Sequence, residues 1–89
     1  MIYSYTTSMV ADYDEFMKTC KAIETGVKGI KKEKLLYTDI DGSAIQIYYV
    51  NGKTIKVFDD YEVDAVYVDS EIDLTGVIKG IVEYRTPKN

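Results

Sequence analysis

Few side chains in this sequence could carry out chemistry on a substrate. Histidine is absent and Cys20 is the single cysteine. A thiol without histidine lacks the usual general base of a cysteine nucleophile, and one cysteine cannot supply an ordinary zinc site. Carboxylates at Asp59–Asp64 and Asp69–Asp73 could bind Ca²⁺ or Mg²⁺, but neither spacing matches an EF-hand loop. We therefore expect no catalytic residues, no metal site and no cofactor.

One segment has the pattern of a phosphatase motif. Residues 35–42 form an apolar run followed by Asp39-Ile40-Asp41-Gly42. This pattern resembles the first motif of the haloacid-dehalogenase phosphatases, in which one Asp attacks phosphate and the next handles the proton. The resemblance covers eight residues, and that family also needs a parallel sheet, a later Lys and further acids in a longer chain. Asp-Gly is equally a strong hairpin-turn signal, and we interpret the segment as a turn in a protein that is not an enzyme.

The composition predicts a sheet-rich single domain. Ile and Val together number 19, against three Leu, and there are nine Tyr. β-Branched and aromatic side chains suit a pleated, half-buried surface, whereas a helical bundle would be rich in Leu and Ala. A chain of 89 residues supports one core. We therefore expect a single domain over residues 1–89.

One segment has helical periodicity. Its apolar residues follow one another at steps of three or four: Tyr13, Phe16, Cys20, Ile23, Val27 and Ile30. This spacing places them along one side of a helix. Asp12 is a suitable N-cap, with Glu15 three positions later. Gly26 and Gly29 weaken the far end, so we predict one amphipathic helix from Asp12 to about Thr25.

The strand pattern predicts a meander. The alternating or apolar runs are Ile2–Met9, Leu35–Ile40, Ser43–Val50, Lys53–Phe58, Tyr61–Val68 and Val77–Arg85. Hairpins are predicted at 41–42 and 50–52 from the Asp-Gly and Asn-Gly pairs. At 50–52 we predict a three-residue bulged loop, because it pairs Ile47 with Ile55. The expected fold is α+β: a five- or six-stranded, mainly antiparallel sheet with one amphipathic helix packed on one face.

The predicted sheet has a second apolar face. In this register Leu36, Ile45, Ile47, Ile55, Val57, Val63 and Ala65 face the helix. One helix is about 10–12 Å across and cannot cover both faces of a sheet whose strands are about 4.8 Å apart. The other face would carry Leu35, Tyr37, Gln46, Tyr48, Lys56, Phe58, Val66 and Val68. Curling of the sheet, a homodimer or a partner protein could each cover it.

Charge is segregated along the chain. Six Lys and two acids lie between residues 17 and 34, whereas seven acids and no base lie between 57 and 75. The net charge is −4. An acidic strip can solubilise the protein, protect strand edges or meet a basic surface on a partner. The acidic total disfavours nucleic-acid binding.

We expect a small non-catalytic protein-interaction module, of the kind found among inhibitors encoded by phages and mobile elements. Its predicted partner-binding residues are Tyr37, Tyr48, Phe58, Asp60, Glu62, Asp64 and Val66. The alternative is a nucleic-acid or nucleotide binder that uses Lys28, Lys31, Lys32 and Lys34, close to the Gly26-Val27-Lys28-Gly29 segment. The lone cysteine, the lack of an apolar run of about 18 residues and the lack of a basic leader predict a cytoplasmic protein without a membrane segment.

Overall fold

The computed structural model describes residues 2–33, 35–37, 42–78 and 83–88, with the side chains of Tyr37 and residues 83–88 outside that description. Within these described residues the chain forms one helix and seven strand segments. They are β1 (Ile2–Ser8), α1 (Tyr13–Gly26), β2 (Lys31–Lys32), β3 (Leu36–Tyr37), β4 (Ala44–Val50), β5 (Lys53–Asp60), β6 (Ala65–Ser70) and β7 (Glu83–Lys88). The predicted α+β class is confirmed.

The strands form one antiparallel sheet in the order β2-β4-β5-β6-β1-β7, with β3 also paired to β4. Because β2 and β3 both pair with β4, they form one interrupted edge strand: Lys31 lies opposite Tyr49, and Leu36 lies opposite Ile45. The Gln46 side chain donates to the Glu33 carbonyl at the interruption. Counted in this way, the described residues form a sheet of six strands, within the predicted five or six.

The helix begins where the sequence predicts. Asp12 is the N-cap, and its side chain accepts a hydrogen bond from the Asp14 amide at 2.9 Å. The backbone N–H of Asp12 donates to Asp59 Oδ1 at 3.0 Å, so β5 supplies the partner that a capping box would take from Glu15. Phe16, Cys20 and Ile23 are buried against the sheet.

The second hairpin differs from the prediction. Val50 pairs with Lys53, so Asn51-Gly52 is a two-residue turn and not a bulged three-residue loop. Both turn residues have positive φ, 50° and 78°, as a type I′ turn requires. At the first hairpin, a two-residue Asp41-Gly42 turn predicts that Leu36 pairs with Ile47, whereas Leu36 pairs with Ile45. Residues 38–41 lie outside the described residues.

The hairpin register reverses the faces of β4. The buried face beneath α1, here called the helix face, pairs Tyr48 with Ile55 and Gln46 with Val57. Tyr48 is 0% exposed because it lies in this core, with its hydroxyl donating to Glu24 on α1. The prediction that Tyr48 lies on the uncovered face is therefore wrong. The same correction applies to Val66, Val68 and Gln46, which are buried.

The opposite face of the sheet, here called the outer face, carries several side chains predicted to lie in the core. Leu36 is 46% exposed, and Ile45 and Ile47 are half-buried. Burial of polar Gln46 and Tyr48 on the helix face in place of these isoleucines is possible because both polar groups have hydrogen-bond partners. Ile55 and Val57 are in the core, as predicted.

The segment predicted as Tyr61–Val68 is a strand only from Ala65. Residues 61–64 form a turn, with Asp60 Oδ1 accepting from the Glu62 and Val63 amides. Val63 is 61% exposed and not a core residue. Residues 71–78 are likewise a turn segment, and its Leu74 and Ile78 side chains extend the core beside α1.

Candidate functional site

The outer face carries a row of large side chains that crosses four strands. Directly paired residues share a face, and the row runs through Ile45, Phe58, Tyr67 and Thr6. The Phe58 and Tyr67 rings stack with centroids 4.6 Å apart. Both rings are half-buried, so the row offers apolar and aromatic surface that the helix does not contact.

A concentration of carboxylates lies next to this row, at the end of β5 and in the β5–β6 turn. The β1–α1 loop and the β5–β6 turn lie at the same end of the sheet, because Ser8 pairs with Val66 and β5 runs antiparallel to β6. Asp64 Oδ1 accepts from the Ala11 amide at 2.9 Å, and Asp59 Oδ1 accepts from the Asp12 amide at 3.0 Å. We call residues 9–12 and 59–64 the acid end.

Asp59 is the most constrained acid at this end. It is 1% exposed, and its Oδ2 atom has no hydrogen-bond partner among the described residues. Burial raises its pKa, and the negative charges of Asp12 and Asp60 act in the same direction, while the hydrogen bond from the Asp12 amide opposes them. Asp59 therefore anchors the start of α1 at an electrostatic cost.

Exposed apolar side chains accompany the acids. Met9 and Val63 are each 61% exposed, and Val10 and Tyr61 are also exposed. These four residues lie in the same loop and turn as the carboxylates. Exposed apolar residues rimmed by charge are typical of protein-interaction surfaces.

A cleft of about 310 Å³ is lined by residues of the acid end and of the neighbouring strands β1 and β6. Its lining comes from β1, the β1–α1 loop, the β5–β6 turn and β6: Ser4, Tyr5, Thr6, Met9, Val63, Asp64, Ala65, Tyr67 and Asp69. Ser4 donates to Asp69 Oδ1 at 2.8 Å, and Tyr67 donates to Asp60 Oδ2 at 3.1 Å. Burial raises the pKa of Tyr67 to about 12, and the hydrogen bond to Asp60 contributes in the same direction. The phenol is therefore protonated at neutral pH.

The structure brings together part of the predicted partner-binding set. Asp60, Glu62 and Asp64 lie in or beside the β5–β6 turn, and Phe58 is two residues earlier on β5. Tyr48 and Val66 do not join them because both are buried on the helix face. Tyr37 lies in β3 at the far edge of the sheet, and its side chain is outside the described residues.

The predicted acidic strip is divided between the two ends of β6. Glu71 and Asp73 follow the strand at the end away from Asp64. Each already accepts hydrogen bonds within the fold: Glu71 from the amide and hydroxyl of Thr54, and Asp73 from the Thr75 amide and the Tyr5 hydroxyl. These hydrogen bonds lower the pKa of both carboxyls.

The described lysines of the predicted cluster do not all lie on one face of the sheet. Lys28, Lys31 and Lys32 are exposed, and Lys34 lies outside the described residues. Lys31 and Lys32 are adjacent in β2, so their side chains point to opposite faces of the sheet. Lys32 Nζ lies 3.1 Å from Glu24 Oε2, which neutralises part of the charge that a phosphate would need.

Sequence reasoning did not identify Thr6, Met9 and Tyr67 as site residues. Met9 and Thr6 belong to a run that reads as an ordinary strand, and their approach to Val63 depends on β1 lying beside β6, 57 residues later in the chain. The sequence does contain a signal for the β5–β6 turn, in Asp60-Tyr61-Glu62-Val63-Asp64, because Asp is frequent in turns.

Comparisons with protein-family models, with curated proteins and with solved structures give no significant match for this chain. Within the described residues, no helix combines the length and apolar character needed to cross a membrane. No group of three or more Cys, Asp and Glu side chains in the described part of the chain is arranged to hold a metal ion. The geometry of the acid end is therefore the basis for a functional proposal.

Proposed function

We propose that this protein is a non-catalytic interaction module that binds a basic surface of a partner protein through its acid end and the adjoining outer face. The observation that carries the proposal is the coincidence, at one end of the sheet, of exposed apolar side chains with Asp60, Glu62 and Asp64. Apolar contact supplies affinity, and charge complementarity supplies orientation and a faster association rate.

Much of this surface is already held in place before a partner binds. Asp60 fixes the β5–β6 turn, and the Asp64 side chain ties that turn to the β1–α1 loop. The Phe58–Tyr67 stack is braced by the hydrogen bond from Tyr67 to Asp60. A surface that needs little ordering on binding loses less conformational entropy, which favours affinity from a small area.

The test must remove charge without breaking the turn. Asp60 and Asp64 both accept backbone hydrogen bonds, so replacement by Lys would damage the fold, whereas Asn keeps an acceptor oxygen. The variant Asp60→Asn/Glu62→Gln/Asp64→Asn would serve as bait beside the wild type. The charge control Glu33→Gln alters an exposed acid on the β2 side of the sheet.

We expect the wild type and the Glu33→Gln protein to retain the same partner in affinity capture, and the triple variant to lose it. Circular dichroism spectra and unfolding midpoints should show that all three proteins are folded. Capture of the same partner by a folded triple variant would contradict the proposal. The nucleic-acid alternative predicts a salt-dependent gel shift that is lost in Lys28→Gln/Lys31→Gln, and it fails if no shift occurs at low salt.

A further inference from the structure

A second depression in the surface lies beside the later half of α1. Its volume is about 480 Å³, and it is lined by Lys18, Lys21, Ala22, Thr25, Gly26 and Val77. Ala22 and Val77 give it aliphatic surface, and Gly26 adds no side chain that could fill it. We call this depression the lysine groove.

The lysine groove carries positive charge. Lys21 is exposed and has no ion pair with a described residue. Lys18 Nζ lies 3.7 Å from Glu15 Oε1, but its side chain is 75% exposed, and such surface pairs contribute little and exchange readily with other partners. No acid is found among the described residues that line the groove, and the Thr25 hydroxyl already donates to the Lys21 carbonyl at 2.7 Å. The groove therefore suits an apolar segment that carries a carboxylate.

The tip of the β5–β6 turn is a segment of this kind. Tyr61 and Val63 are 44% and 61% exposed, and the exposed acid Glu62 lies between them. Asp60 Oδ1 accepts from the amides of Glu62 and Val63, so the conformation of the tip is fixed before it meets another surface. An acid flanked by two apolar side chains complements, in charge and in polarity, an aliphatic floor flanked by two lysines.

The tip cannot occupy the groove of its own chain. The Asp64 side chain accepts from the Ala11 amide, which ties the turn to the residues just before α1. The helix begins at Tyr13, and Ala22 on the groove floor lies nine residues later, about 14 Å at about 1.5 Å per residue. A turn tip in the groove therefore belongs to another molecule.

We infer that the tip of the β5–β6 turn docks in the lysine groove of a second copy of this chain. The inference rests on the proposed function and identifies the basic surface of the partner. Glu62 meets the ammonium groups of Lys18 and Lys21, while Tyr61 and Val63 cover the aliphatic floor. Because the turn and the groove are different surfaces, the contact is heterologous, and each dimer retains one free turn and one free groove. Association continues beyond the dimer unless the rotation between copies closes a ring.

Sedimentation velocity of the full chain over about a hundredfold range of concentration tests the self-association. At about 0.02 M NaCl we expect the weight-average sedimentation coefficient to rise with concentration, to values above that of a dimer. At about 0.5 M NaCl we expect association to weaken at least several-fold, because salt screens exposed charges. A monomer at every concentration in low salt would overturn the inference.

Two double variants with the same charge change locate the contact. Lys18→Gln/Lys21→Gln neutralises the groove with side chains that suit a helix, and Lys28→Gln/Lys31→Gln neutralises two exposed lysines outside the groove lining. We expect the first variant to weaken self-association about tenfold or more and the second to weaken it less than about threefold. Circular dichroism spectra should show that both are folded. Equal effects would overturn the assignment to the groove.

Mixing two defective proteins identifies what occupies the groove. The Lys18→Gln/Lys21→Gln variant keeps the acidic turn, and the Asp60→Asn/Glu62→Gln/Asp64→Asn variant keeps the groove. Each should be monomeric alone, and the equimolar mixture should form a 1:1 complex that grows no further, because one turn and one groove remain functional. A mixture that stays monomeric under conditions in which the wild type associates would overturn the pairing of turn with groove.

The outcomes separate this inference from the proposed function. If the wild type is monomeric but the triple amide variant loses a captured partner, the second copy is wrong as the partner and the acid-end interface stands. If self-association is lost in the groove variant but kept in the folded triple variant, the acid end does not occupy the groove and the docking inference is wrong. The proposed function is itself overturned when the triple variant captures the same partner as the wild type.

Discussion

At the scale of single residues, Asp59 is a point of the acid end where a carboxylate is buried against an electrostatic penalty. Its carboxyl accepts the Asp12 amide at the start of α1, yet its second oxygen is buried without a partner in the described structure. A buried carboxylate prefers to be protonated unless its charge is compensated, and the neighbouring Asp12 and Asp60 increase that preference. The start of the helix is therefore anchored by a carboxyl group whose ionised form is disfavoured by its surroundings.

This arrangement predicts a pH dependence of stability. The pKa of Asp59 is raised in the folded protein, so the native state holds the proton at pH values where the unfolded chain has released it. The contribution of Asp59 to the free energy of unfolding is fully present below its ordinary pKa of 3.8 and declines as the pH rises to the folded pKa. The expected slope does not exceed about 1.4 kcal/mol per pH unit for one proton.

The measurement compares urea unfolding of the wild type and Asp59→Asn between pH 3 and 8. The stability advantage of the wild type over the variant should be largest at acid pH and should shrink as the pH rises. A constant difference between wild type and Asp59→Asn would mean that the buried carboxyl titrates normally.

At the scale of secondary-structure elements, the end of α1 is fitted closely to the segment after β6. A Cβ atom built on Gly26 would lie 2.8 Å from Val77 Cγ1, closer than real Cβ contacts allow. Val77 is held by its amide, which donates to the Leu74 carbonyl at 2.9 Å. The segment after β6 therefore leaves no room for a side chain at Gly26, the last residue of the helix.

A double-mutant cycle tests this contact. Gly to Ala in a helix gains up to about 1 kcal/mol, but here the clash with Val77 opposes the gain. We expect Gly26→Ala to be neutral or destabilising in the wild type and to become more favourable by about 1 kcal/mol in a Val77→Ala background, within the range for residues in contact. The free energies of unfolding of the four proteins give the coupling, and additive effects would rule out the close approach.

The secondary-structure elements also differ in how well they can be predicted from the sequence. The helix and its cap at Asp12 follow from local periodicity and local hydrogen bonding, so they are predictable. Which residues of β4 face the helix is not predictable in this way. Pairing the isoleucines across the hairpin favours a bulged loop, whereas the two-residue Asn51-Gly52 turn gives the opposite register. Turn geometry outweighed apolar matching because the polar side chains on the helix face found hydrogen-bond partners elsewhere in the fold.

The candidate site is predictable only in part, for a related reason. Asp60, Glu62 and Asp64 are close in sequence, so their proximity in space could be foreseen. The cleft needs Thr6 and Met9 as well, and these come from the other end of the chain through the β1–β6 pairing. Non-local pairing of this kind leaves no local sequence signal.

At the scale of the whole molecule, charge is distributed along the strands. β5 begins with Lys53 and ends at the acid end with Asp59 and Asp60. Lys53 precedes Asp59 by six residues, which is about 20 Å at about 3.3 Å per residue. Lys31 lies at that far end too, opposite Tyr49. The far end also carries Glu71, so its charge is mixed, whereas the acid end carries acids alone among its described residues.

This polarity predicts how the protein binds a positively charged surface. Two triple variants can be made with the same net charge, −4 + 3 = −1. Asp60→Asn/Glu62→Gln/Asp64→Asn removes acids from one end, and Glu15→Gln/Glu33→Gln/Glu71→Gln removes acids that are spread over the molecule. On an anion-exchange column the first should elute at lower salt, because retention depends on the densest acidic surface and not on net charge alone. Coelution of the two variants, with both folded by circular dichroism, would show that the acid end has no stronger negative electrostatic potential than acids spread over the molecule. The electrostatic reason for a basic partner to bind there would then be removed.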